Sequence, residues 1–223
     1  MIRRAGSKSG MDNSVTGKMS QITMMVIFFS LTSLYANAQI TTSQIVGFNF
    51  STMEMHVNNE SVDTDGATGI HFGLLLPIQI VDHLTILPGM MFSSKGSSYF
   101  IDTVDISISP IYLEIPVNLE FDIGTDAFSV SFIAGTYISC GVGGNKIESG
   151  GEAKEIFYGS GESKDLKLFD LGLNIGTGIK IKGFLISVRY GYGLTNLFPD
   201  DSTDTVLNNR VIGISLTSSF AGR

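Results

Sequence analysis

Five ionisable residues stand where two-faced strands would carry their polar sides: Glu114, Glu120, Asp170, Lys180 and Arg189. Acids and bases interleaved with large aliphatic residues have three ordinary uses. They relay protons, line an ion path, or pair with one another so that charge can be buried. The spacing within 111–121 selects among them. Its odd positions are Ile, Leu, Ile, Val, Leu and Phe, and its even positions are Tyr, Glu, Pro, Asn and Glu. A period of two puts Glu114 and Glu120 on one face of a strand and every large aliphatic residue on the other. Asp170, Lys180 and Arg189 fall on the polar faces of two later segments with the same period. The expected use is a structural ion network, with Arg189 and Lys180 as the partners of Glu114 and Glu120. A proton or ion path is the lesser reading.

Other reactive residue types are sparse. His56, His71 and His83 fall in a connection, a strand and a turn. His56 has Glu54 and Ser51 close in sequence, the residue types of a hydrolase, but the spacing of a general base is absent. No catalytic residue is expected. The single Cys140 excludes an intramolecular disulfide framework and a Cys-based zinc cluster. The stretch 141–164 scatters its glycines, and no Gly-Lys-Ser/Thr follows, so it is not a phosphate loop. Within it, Ile156, Phe157 and Tyr158 form a candidate surface contact, the rest reading as a flexible connection. The acidic group Asp200, Asp201 and Asp204 lacks calcium-loop spacing. No metal or cofactor is expected.

Eight alternating segments must position these residues, near 44–53, 68–80, 83–94, 111–121, 127–140, 166–181, 183–194 and 209–220. The connections alternate in length. Short turns fall around Asp82-His83, Gly124-Thr125-Asp126 and Lys182-Gly183, and longer stretches join the other segments. An even strand count with long–short alternation is the plan of an antiparallel up-and-down barrel in an outer membrane. The faces fit that plan. The polar faces are mostly Gly, Ser, Asn and Thr, including Gly172, Gly176, Gly178, Gly191, Gly193 and Gly213. Such residues are poor on a water-facing strand and suit a crowded, curved interior. The Phe, Ile, Leu and Val faces then point to lipid. Phe121, Phe128, Phe184 and Phe220 would girdle the short-turn end. Pro77, Pro88 and Pro116 each remove a ladder donor and predict bulges or bends.

Residues 22–34 are an apolar run too short to span a bilayer, preceded by Lys18 and followed by Ala36-Asn37-Ala38. The reading is an export signal over 1–38, cleaved before Gln39, with 1–17 a possible upstream extension and the barrel over 39–223. Without that segment, 10 basic and 20 acidic residues remain. An acidic chain with no basic stripe argues against a nucleic-acid partner.

Several pieces together resemble the PorT-like outer-membrane β-barrel family of Bacteroidetes-type bacteria. They are Gly47-Phe48-Asn49-Phe50-Ser51, the run from Leu87-Pro88-Gly89 to Ser94-Lys95-Gly96, Tyr112-Leu113-Glu114-Ile115-Pro116, Asp170-Leu171-Gly172-Leu173 with Gly176-Thr177-Gly178, and Arg189-Tyr190-Gly191-Tyr192-Gly193-Leu194. The resemblance spans about 44–220. It implies an eight-strand barrel in the outer membrane and no single activity; some members are linked to protein secretion. One departure is that Phe220 is followed by Ala221-Gly222-Arg223, whereas such barrels often end on an aromatic residue. The expected role is non-enzymatic, through long outer loops or a secretion-related partner. A small transport pore is the alternative, and a rim enzyme a distant third. The expected surroundings are outer-membrane lipid.

Overall fold

The computed structural model describes residues 42–58, 60–101, 104–125, 127–200 and 204–220. The expected signal segment and its Ala36-Asn37-Ala38 site lie outside these residues. The described strands are β1 (Thr42–Val57), β2 (Glu60–Val62), β3 (Thr64–Leu75), β4 (Ile78–Val81), β5 (Leu84–Ser94), β6 (Ser97–Ile101), β7 (Val104–Thr125), β8 (Phe128–Glu148), β9 (Lys154–Glu155), β10 (Phe169–Ile181), β11 (Phe184–Gly193) and β12 (Thr205–Phe220). They make one antiparallel sheet that returns on itself. β1 pairs with β3, β3 with β5, β5 with β7, β7 with β8, β8 with β10, β10 with β11, and β11 with β12. β12 then pairs with β1 from Thr42↔Phe220 to Val57↔Thr205. β4 and β6 continue the staves of β3 and β5, so the ring has eight staves, as the alternation predicts. Closure leaves no edge of unpaired backbone, the condition for a sheet to lie in lipid.

The pleat assigns the faces. Phe48, Val117, Leu119, Leu173, Ile175, Ile186, Val188 and Ile214 point outward. Asn49, His71, Glu114, Asp170 and Asn209 point inward and are at most 3% exposed. This inverts the ordinary soluble pattern and matches a lipid-facing apolar wall. Phe121, Phe128 and Phe184 stand outward at the short-turn end; the side chain of Phe220 lies outside the described residues.

The turns follow local chemistry. Lys182 and Gly183 both have positive φ, 48° and 86°, and join Ile181 directly to Phe184. That is the two-residue hairpin whose twist matches the strands. The prolines act less uniformly than predicted. Pro77 interrupts the stave between β3 and β4, and the pairing of β4 with β5 shifts register between Gln79 and Val81. Pro88 and Pro116 produce no shift between β5 and β7. That ladder opens between Pro88↔Val117 and Met91↔Glu114 and resumes in the same register. The bulge between β7 and β8 lies elsewhere, at Ile111/Tyr112 beside Pro110.

The staves are longer than the sequence segments suggest. β7 has 22 residues and β8 has 21, whereas about 9–11 cross a bilayer. The surplus rises beyond the apolar band as a crown opposite the short turns. Gly141–Glu148, read from sequence as part of a connection, belongs to β8. Gly141 there, and Gly172 on β10, lie under aromatic rings. A Cβ at Gly141 would fall 2.1 Å from the Tyr158 ring, and one at Gly172 would fall 2.4 Å from the Tyr137 ring. Gly172→Val is therefore expected to destabilise the barrel by about 1–3 kcal/mol through overpacking. A lower urea midpoint for the compact band on unheated gels would register it.

Candidate functional site

Polar side chains fill the lumen in layers. Nearest the short turns, Lys180 on β10 reaches across to β7. Its ammonium contacts Glu120 Oε1 and lies 2.5 Å from Asp122 Oδ2. Ser131 Oγ donates to Asp122 Oδ1 at 2.5 Å. Asp122 continues the even phase of 111–121 one step beyond the segment the sequence marks, which is how it could have been found.

The middle layer is built on Lys95, a residue sequence reasoning did not place in the network. It follows Ser93 in the inward phase of β5, so its direction was legible although its role was not. Its side chain is 2% exposed; Nζ lies 3.0 Å from Glu114 Oε2 and 3.5 Å from Asp170 Oδ2. The Tyr112 and Tyr137 rings flank it, with centroids 5.0 and 4.4 Å from Nζ. Asp170 Oδ2 also accepts Tyr137 Oη–H at 3.1 Å and Asn209 Nδ2–H at 2.8 Å. Burying a cation is tolerable when carboxylates and ring faces replace its water. Glu114 is thus held by Lys95 and not by Arg189. Among the described residues no carboxylate lies within ion-pairing distance of Arg189. Arg189 and Glu114 border one small void of about 10 Å³ without pairing.

His71 belongs to the same layer. Asn49 Nδ2 donates to Ser93 Oγ and to the Ser94 carbonyl, which leaves Asn49 Oδ1 as an acceptor. His71 Nδ1–H donates to it at 2.8 Å, and Nε2 accepts from Ser215 Oγ at 2.7 Å. Both ring nitrogens are occupied, so this histidine is a cross-strand brace.

Above the ions the lumen turns apolar. Met53, Met55, Ile108, Ile156, Leu166, Leu197 and Leu207 form a buried cluster across the crown. The segment between β8 and β10 folds onto it. Asp165 accepts Lys146 Nζ at 2.6 Å and the Phe157 N–H at 2.9 Å. Lys167 N–H bonds the Leu197 carbonyl, and Gly161 N–H bonds the Pro199 carbonyl. This corrects the flexible-connection reading. Of the candidate contact residues, Ile156 is 6% exposed and Tyr158 donates to the Gly143 carbonyl at 2.7 Å; only Phe157, 59% exposed, faces outward. Apolar side chains in a connection above an open lumen are drawn in to cover it, which a linear motif does not reveal. On the crown's surface, hydrogen bonds from Lys146 and Lys154 hold Glu148 below the usual carboxylate range.

The rim trio resolves differently from its sequence. Ser51 is buried and bonds the Gly96 backbone. Ser61 on β2 takes its place beside His56, Oγ to Nδ1 3.3 Å, while Nε2 meets Glu54 Oε1 at 3.0 Å. Glu54 is also tied to Arg210 at 2.5 Å. Ser61 is exposed and lines none of the barrel's described cavities. The trio has the hydrogen-bond order of a hydrolase, and none of its three residues lines a described cavity. Cys140 is a free thiol, half-buried on β8.

The largest lumenal space, about 490 Å³, opens at the short-turn end among Lys180, Glu120, Asp122, Asn118 and Arg189. It stops below the Lys95 layer, so the lumen is a blind vestibule under a filled barrel.

A family model for an outer membrane protein beta-barrel domain matches residues 35–199. No curated protein matches the sequence. Among solved structures, OprG from Pseudomonas aeruginosa is 11% identical with TM-score 0.46, over 81% of this chain and 96% of that one. Neisserial surface protein A is 12% identical with TM-score 0.41, over 81% and 97%. Ail, the attachment invasion locus protein of Yersinia pestis, is 14% identical with TM-score 0.39, over 81% and 99%. These three are similar in outline only. The family match spans most of the chain and coincides with a closed ring of staves whose apolar faces point out: the chain belongs to the outer membrane protein beta-barrel domain family.

Proposed function

We propose that this outer-membrane barrel is a non-conducting interaction protein that presents its crown to the cell exterior. The short turns face the periplasm, as in bacterial barrels generally. Export uses the segment over 1–38. The PorT-like resemblance and a secretion-linked protein partner are part of the same reading. The observation that carries it is the filled lumen. The Lys95 layer leaves a void of about 10 Å³, and seven buried apolar residues lie across the crown above it. A hydrated ion would have to displace a packed, ion-paired layer and then cross an apolar one. The long, hydrogen-bonded crown is instead a surface able to hold a partner, with Phe157 and Ile147 exposed on it.

In planar bilayers the refolded protein is expected to show no stable open conductance. A reproducible single-channel current would overturn this reading in favour of a pore. Capture of a defined partner that is lost on trimming the 149–168 segment would support the interaction role.

A further inference from the structure

Five aliphatic side chains break the polar rule of the lumen. Ile45, Leu75, Leu87, Ile133 and Leu185 point inward, each 4–7% exposed, and all five line the 490 Å³ vestibule. In a barrel whose wall meets lipid, inward aliphatic residues beside an open cavity are not explained by the outer face. On β11, Leu185, Ser187 and Arg189 climb inward from the turn; on β7, Asp122, Glu120 and Asn118 do the same. The vestibule wall therefore sets aliphatic side chains beside polar ones: Leu185 pairs with Lys180, Ile133 with Glu120 and Leu87 with Asn118, and Arg189 stands four residues beyond Leu185 on β11. The cations differ in state. Lys180 is neutralised by two carboxylates. Arg189 has none within ion-pairing distance among the described residues, and it lines the cavity. A guanidinium in such a place matches a carboxylate, two N–H groups to two oxygens.

We propose that the vestibule binds a small amphiphilic anion, an aliphatic carboxylate entering from the short-turn end. Its carboxylate sits on Arg189 and its chain lies along Ile45, Leu75, Leu87, Ile133 and Leu185. The cavity falls in the ordinary range for small-ligand sites, about 300–1,000 Å³, and combines an apolar wall with one convergent charged group. Serving as a binding site is independent of the crown's role and of whether the barrel conducts.

The test uses the refolded full barrel in phosphatidylcholine nanodiscs, with ¹⁵N-labelled arginine and octanoate as probe. The Arg189 Nε–H resonance is expected to shift saturably. Arg189→Gln and Ile133→Asn, each checked for folding by gel mobility, should weaken binding by about tenfold or more, the loss of one charged contact or of apolar area. Inorganic phosphate and 1-octanol should each fail to saturate the site, since each carries half of the required chemistry. No saturable shift in the wild-type barrel overturns the proposal, whatever the variants do. So does equal binding of phosphate, which would make the site a bare anion site, or of octanol, which would make it an apolar cavity. Unchanged octanoate affinity in a folded Arg189→Gln barrel overturns it as well.

Discussion

Lys95→Met is expected to destabilise the barrel by about 3–5 kcal/mol, the range for removing one partner of a buried ion pair. Two carboxylates, Glu114 and Asp170, face Lys95, with side chains 4% and 0% exposed. Methionine would fill most of the lysine's volume, so the loss isolates charge from packing. The contact is ionic more than directional, because Nζ lies off the hydrogen-bond line of its carboxylates and between two tyrosine faces. Glu114→Gln alone should cost less, since Lys95 keeps Asp170. The triple variant Lys95→Met, Glu114→Gln, Asp170→Asn should recover much of the loss, because it leaves no buried charge unpaired. Urea midpoints of the compact gel band decide among these. A Lys95→Met barrel as stable as wild type would show that the layer is hydrated and that the lumen is less closed than its packing implies.

Much of the architecture was legible because a strand's period is short and its faces are all-or-none. A residue's parity states which way it points, and Glu114, Glu120, Asp170, Lys180 and Arg189 all point inward in the closed ring. Pairing was less legible. Which inward residues meet depends on register around the whole ring, and an alternating segment does not encode the register of its neighbour. Glu114 meets Lys95 from the adjacent stave and Asp170 meets the same lysine from across the lumen, whereas Arg189 borders the same void without pairing. The crown was least legible. Ile156 and Tyr158 read as exposed contact residues of a mobile connection because sequence shows their type and not the open mouth they cover. The prolines were half legible: each costs a donor, but whether the sheet answers with a bulge, as near Pro77, or with a gap in the ladder, as at Pro88 and Pro116, depends on the facing strand.

Ile175→Arg tests the other face, and its expected cost is about 2–4 kcal/mol, the range for arginine on the lipid side of a barrel near the bilayer centre. Ile175 lies midway along β10, 64% exposed, between Ala134 of β8 and Tyr190 of β11. In water such a site would tolerate a charge, since exposed substitutions away from special features usually stay within about 0.5 kcal/mol. In lipid the guanidinium must drag water inward or bend toward a headgroup over half a stave. Ile147→Arg is the control: Ile147 is outward and 38% exposed at the crown end of β8, beyond the apolar band, and should be nearly neutral. The contrast between two outward positions of one barrel separates depth in a bilayer from exposure alone. Equal tolerance at both positions would mean that the apolar wall is not buried in lipid, and the inside-out pattern of the chain would need another explanation.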